Sequence, residues 1–324
     1  ASDVYKRQEW FCYFAMRSIR RTGFEVETLA FFLSSIGLSV IASSVPDEMF
    51  RQMIIVFAGV VAFFVLGWWL RDLDRTKTMR LPLAILSVLI LGAVLVIGRE
   101  QYGAKNWIFI GSMSIQPSEF VKVAFIYVGA ATLDRLFSTK NLILFIAFSA
   151  LCVICLAFSS DFGTALIFFA CFLIIAFMRS GSFRTIFLIL AAACFGVFLI
   201  LQFKPYVAQR FSGWMHVWEH TQDSLGYQQV RTMTYIASGG LFGLGLGNGI
   251  LKYVAAGDSD LVFGMLCEEQ GLLMGMAVLF ALVLFILYAR SDVTRSRSTF
   301  YAIAACAVSG MLLFQACLLY TSPS

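Results

Sequence analysis

Asp258, Asp260, Glu268 and Glu269 place four carboxylates within the twelve residues 258–269 of a chain that is only 13% charged and 60% hydrophobic. Acids gathered at the mouth of an apolar helix are held there against a desolvation cost, which marks them for chemistry. Asp258 or Ser259 can cap that helix, leaving Asp260 in its first turn, where the helix dipole favours the ionised form that a general base requires. Capping alone is the alternative for either aspartate. Glu268 recurs with Gly264, Gly271 and Gly275 at i, i+4, i+7 and i+11, a face of small residues, and is expected to point into a close-packed bundle. Glu269 receives no role.

Three further segments carry polar side chains beside apolar runs. In Gly103-Ala104-Lys105-Asn106-Trp107-Ile108, followed by Gln116-Pro117-Ser118-Glu119, proline suits the first helical position and Glu119 meets the positive end of the dipole. Lys122 lies one turn on, where it can pair with Glu119; it is read either as a snorkelling lysine or as a cation held to meet an anionic lipid headgroup. In Ser159-Ser160-Asp161-Phe162-Gly163-Thr164, Asp161 is an N-cap candidate in a tight turn. The segment from about 204 to 260 holds Arg210, then Trp214 and Trp218, which share a helix face as interfacial anchors. Residues 216–220, with His216, Glu219 and His220, also fit the inverted zinc-protease pattern, although no distant third ligand presents itself. The glycine run 239–249 completes neither a P-loop nor a dinucleotide fingerprint, so its glycines are read as allowing tight turns and close approach to a headgroup or a neighbouring helix.

The elements that must position these residues are membrane spans. A mean hydropathy of +0.84, with 33 Phe and 5 Pro in 324 residues, leaves too little polar surface for a soluble domain. Stretches near the roughly 20 residues that cross a bilayer occur at about 27–44, 51–70, 81–98, 119–134, 142–158, 162–178, 184–203, 261–289 and 299–316, nine spans in one all-α polytopic domain. Basic residues concentrate in alternate short loops (Arg71, Arg75, Lys77, Arg80; Arg290, Arg295), against only Arg51, Arg99 and Lys105 opposite. This predicts a cytoplasmic N-terminus and an outer segment 204–260. The net charge of +5 therefore reflects topology, not nucleic-acid binding. Cysteines, including the pair Cys152 and Cys155, are read as apolar packing residues. Residues 1–8 and 317–324 read as in-frame translation of a sequencing adapter and its reverse complement, so the natural segment is expected to be 9–316, ending in or just after its last span.

The ordered motifs Gly103-Ala104-x-x-Trp107-Ile108, Gln116-Pro117-Ser118-Glu119-x-x-Lys122, Asp161-x-Gly163-Thr164, Tyr227-Gln228, the glycine run and Ser259-Asp260 followed by Glu268-Glu269-x-Gly271 resemble the RodA/FtsW/SpoVE (SEDS) family of peptidoglycan polymerases over 27–316. The chain departs from the family pattern at Ser259 and Leu261 around Asp260, at Ser159-Ser160, and at Arg231-Thr232. The resemblance implies ten spans, a large outer loop between spans seven and eight, and polymerisation of lipid II in elongation, division or sporulation. On this reading Asp260 is the catalytic base of an inverting glycosyltransferase. Lys122, Lys105 and Arg210 offset the lipid diphosphate, Glu119 orients Lys122, and Trp107, Asp161 and Glu268 complete the substrate-binding set. A divalent cation, Mg or Mn, is the one cofactor expected to assist, without a defined ligand set, and a class B penicillin-binding protein is the expected partner. The rival reading is a lipid-linked precursor flippase, which would place its charges near the bilayer midplane.

Overall fold

Backbone groups in a bilayer must satisfy one another, so long apolar runs fold as helices. The computed structural model describes residues 24–101, 104–110, 113–133, 139–184, 226–254, 260–296 and 298–321, together with isolated positions at 14, 186–187, 189–191, 194 and 218. The helices are α1 (Glu25–Ser44), α2 (Met49–Trp69), α3 (Leu73–Ile97), α4 (Pro117–Leu133), α5 (Thr139–Phe158), α6 (Phe162–Ser180), α7 (Tyr227–Gly239), α8 (Val262–Gln270), α9 (Leu272–Arg295) and α10 (Thr299–Thr321). Seven of the described helices are long and apolar enough to cross a membrane, and the chain is an all-α polytopic membrane protein. The helix α4, expected as a span, has 17 residues; most of the expected span 184–203 lies outside the described residues.

The described residues fall into two units. One draws on Trp68–Phe195 and Ala289–Leu318. Its core centres on Phe125 of α4, whose ring lies 5.6 Å from Phe145, 5.5 Å from Phe148 and 5.0 Å from Phe168, bringing α4, α5 and α6 together. Gly129 permits this approach: a Cβ there would meet Phe145 and Ile175 at 2.9 Å. Between α3 and α4 the chain forms a feature the sequence did not suggest, an antiparallel meander of β1 (Arg99–Gln101), β2 (Ala104–Ile110) and β3 (Met113–Ile115). The amide of Lys105 donates to Ser159 O at 2.9 Å, fastening this sheet to the turn between α5 and α6.

The other unit draws on Ala1–Gly67, Gly196–Tyr288 and Leu319–Ser324. Here Val40 of α1, Leu251, and Met265 and Leu266 of α8 form a small core. The Gln270 side chain donates to Ser39 Oγ at 2.9 Å. The expected span 261–289 is not one helix. It breaks at Gly271 (φ +86°), giving α8 and a spanning helix that starts at Leu272. The supposed glycine face is accordingly divided. A Cβ on Gly264 would strike Thr232 of α7 at 2.7 Å, whereas one on Gly275 would strike Cys267 Sγ of α8 at 2.6 Å.

Candidate functional site

Within the first of these units, the end formed by the α3–α4 sheet, the start of α4 and the α5–α6 turn collects five of the residues singled out by sequence. Pro117 opens α4 as its spacing predicts. Lys122 is 4% exposed, and its Nζ reaches back one turn to Glu119 Oε2 at 2.7 Å, while the Glu119 side chain is 54% exposed. The lysine is therefore no snorkel: its charge stays inside, directed by an acid that faces out. Asp161 is buried and caps α6, Oδ1 accepting from Thr164 N at 3.1 Å. Its Oδ2 accepts from Asn106 Nδ2 at 3.0 Å and Gln116 Nε2 at 3.4 Å.

Asp161 thus ties the sheet, the start of α4 and the start of α6 with one carboxylate, a positioning arrangement in which both oxygens are engaged. The preceding Ser160 adopts φ +58°, the left-handed conformation that this turn demands. Asn106 and Gln116 were not given roles by sequence reasoning, although both stand inside the motifs quoted above. Their partner lies 55 and 45 residues away, a distance no local spacing reveals. Lys105 is exposed and Trp107 half-buried on β2. Asn106 Oδ1 and Ser118 Oγ are buried without hydrogen-bond partners among the described residues.

In the other unit the acids of 258–269 separate by environment. Asp260 is exposed and lies ahead of α8, whose N-cap position is Leu261. It is therefore not in the helix's first turn as expected, since the helix begins two residues later at Val262. Asp258, Ser259, Arg210, His216, Glu219 and His220 lie outside the described residues. Glu268 is 0% exposed. Its Oε1 accepts from Ile250 N at 2.8 Å and its Oε2 from Leu251 N at 3.0 Å, so a buried acid is held by the N-terminus of the 3-10 turn Leu251–Tyr253. Glu269 is 3% exposed, and its Oε2 has no hydrogen-bond partner among the described residues.

The glycine run packs on this same end of α8. Leu244 N and Gly245 N donate to the carbonyls of Glu268 and Glu269, both at 2.9 Å. A Cβ at Gly249 would lie 2.9 Å from Glu268 Oε2 and from Glu269 Oε1. Of the two occupants considered for these glycines, headgroup or neighbouring helix, the structure shows the helix. The contact is with the carboxyl end of α8 rather than with Asp260. Among the described residues no three His, Cys, Asp or Glu side chains gather as a metal cage.

A family model described as cell cycle protein, FtsW/RodA/SpoVE, matches residues 25–321. The chain belongs to this family. It is 29% identical over 305 residues, 89% of this chain and 79% of the relative, to the probable peptidoglycan glycosyltransferase FtsW of Tolumonas auensis. The fold matches a chain of a solved peptidoglycan synthase complex (TM-score 0.75, 22% identity, 92% of this chain and 85% of that one). It also matches a variant of the Thermus thermophilus rod shape determining protein RodA (TM-score 0.66, 21% identity, 92% and 84%). Family membership makes the chain a multi-pass membrane protein of the cell-wall machinery.

Proposed function

We propose that the chain is a peptidoglycan glycosyltransferase that lengthens glycan strands from lipid II at the outer face of the cytoplasmic membrane. Its family and the activity named for its FtsW relative support this reading. The observation that carries the site assignment is the division of the acids: of the three described carboxylates in 258–269, Asp260 is exposed while Glu268 and Glu269 are buried.

On this reading Asp260 accepts the proton of an acceptor sugar's 4-hydroxyl as that oxygen attacks the donor's anomeric carbon. The new glycosidic C–O bond forms while the bond to the lipid diphosphate breaks, its electron pair leaving with the diphosphate. A single displacement of this kind inverts the anomeric centre. Lys122, directed by Glu119, is assigned to the diphosphate charge, as are Lys105 and Arg210, with Trp107 as a neighbouring contact. Asp161 and Glu268 serve by positioning, because their carboxylate oxygens are held by neighbouring donors. A divalent cation, Mg or Mn, would add to the charge compensation. The chain's proposed partner is a class B penicillin-binding protein, supported by its likeness to a chain from a synthase complex. The basic-loop pattern supports a cytoplasmic N-terminus.

The test is polymerisation of lipid II by the purified, reconstituted protein, comparing wild type with Asp260→Asn and Lys122→Met. Asp260→Asn is expected to lower the rate about 100-fold or more. A variant that polymerises at the wild-type rate removes Asp260 as base. Movement of lipid II between leaflets without glycan synthesis would replace the enzyme reading with the flippase.

A further inference from the structure

We propose that the glycine-rich loop 240–253 is a membrane-interface anchor whose apolar side chains enter the lipid acyl layer beside the start of α9. This surface goes beyond glycosyl transfer and does not rest on that assignment. Residues 238–251 contain no Asp, Glu, Lys or Arg. Leu241 is 57% exposed, Phe242 81%, Leu246 62% and Tyr253 80%.

These side chains are outward because the backbone is committed inward. Leu244 N and Gly245 N are bound to the carboxyl end of α8. Gly243, Gly245 and Gly247 hold φ of +84°, +94° and +82°, conformations that side-chain-bearing residues rarely adopt. Turning the leucines inward would break this attachment, which keeps their apolar surface outward.

The depth of the loop is set by α9. Leu272 N donates to Gly240 O at 3.0 Å and Leu273 N to Leu241 O at 3.3 Å. Leu272 is also the first residue of the spanning stretch Leu272–Ser291. The loop's first residues therefore lie one hydrogen bond from the first residue of a helix long and apolar enough to cross a membrane, and the next side chain, Phe242, is the most exposed of the loop's large apolar residues. At the far end, Lys252 Nζ sits 5.4 Å from the Tyr253 ring and bonds Gly247 O at 2.6 Å. An aromatic with a polar tip beside a cation is the pairing found where acyl chains meet headgroups. The hydrogen-bonded continuity of this uncharged run with the start of α9 is what points to lipid as its cover.

The experiment places a thiol-reactive NBD fluorophore at Phe242→Cys and, separately, at Leu246→Cys in protein reconstituted into phosphatidylethanolamine and phosphatidylglycerol nanodiscs. Unsubstituted protein serves as labelling blank and Phe63→Cys in α2 as span control. Lipids carrying a nitroxide high on the acyl chain should quench both loop labels, and aqueous iodide should quench them at least about threefold less than the same label on glutathione. Quenching by iodide at the glutathione level overturns the proposal. So does a label that neither quencher reaches, or protection from iodide that requires a second protein, since each assigns the surface to something other than lipid.

Discussion

Glu268→Gln tests the claim that a buried acid holds the loop in front of α8. Glu268 is 0% exposed, with one carboxylate oxygen accepting from Ile250 N at 2.8 Å and the other from Leu251 N at 3.0 Å. A glutamine amide accepts at only one end and turns an NH2 donor toward the second N–H. The substitution loses one charge-assisted hydrogen bond, about 1.5–3 kcal/mol, and strands a buried donor, about 1–3 kcal/mol. Removing a buried charge offsets part of this. A net loss of about 2–4 kcal/mol raises the population of the opened loop ~30- to ~700-fold, at 1.4 kcal/mol per decade.

Cys267 supplies one of two readouts. It is 2% exposed, and burial pushes its thiol from 9.0 up to about 11, so in the closed structure it is both inaccessible and protonated near pH 8. Hydrogen–deuterium exchange of the peptide carrying the Ile250 and Leu251 amides, read by mass spectrometry, reports the fraction open, and maleimide labelling of Cys267, whose Sγ lies against Gly275 of α9, reports openings that spread to α9. The pH must stay below the ordinary thiol value. The folded thiol keeps its proton where the unfolded one ionises, so this group's contribution to stability is full below pH 9.0 and declines as pH rises toward about 11. A Glu268→Gln exchange rate at Ile250 and Leu251 within about threefold of wild type, well short of the ~30-fold lower bound, would show that these two hydrogen bonds do not hold the loop.

Two other substitutions probe the remaining supports. Asp161→Ala removes the α6 cap and the acceptor for Asn106 and Gln116, and should cost about 2–4 kcal/mol in denaturant unfolding of the purified protein. Asp161→Asn keeps an oxygen for the cap but turns an NH2 toward Asn106 and Gln116, so it should cost about 1 kcal/mol less than Asp161→Ala, the worth of the cap, and equal losses for the two would discredit the capping account. Gly271→Ala places a Cβ onto Leu241 O and Gly243 N at φ +86° and should cost about 3 kcal/mol or more, read as a collapse in monodisperse yield. Wild-type yield would mean that the break between α8 and α9 does not need glycine.

Local features were legible wherever the physics is local. Pro117 starts α4, Glu119 meets Lys122 one turn later, and Asp161 caps α6, since each depends on residues within one turn of a helix end. The eighth apolar run departs from a single span for a related reason. A hydropathy pattern records that 261–289 is apolar, but the break at Gly271 is decided by the loop that returns over it, with Gly240 O and Leu241 O accepting from Leu272 and Leu273. Likewise the spacing of Gly264, Glu268 and Gly275 described one face of a helix that does not continue through those residues.

By itself the sequence determined the membrane-spanning class, the starts of α4 and α6, the family and which residues merit a chemical role. Hydropathy, capping and ordered motifs are written in neighbouring positions along the chain. Only tertiary structure decided what the acids do: Asp260 is exposed, Asp161 joins sheet to helices, and Glu268 is taken up by Ile250 and Leu251. The environment of a carboxylate is set by which donors and how much water surround it. For Asp161 and Glu268 those donors, the capping amide of Thr164 apart, come from residues 17 to 55 positions away.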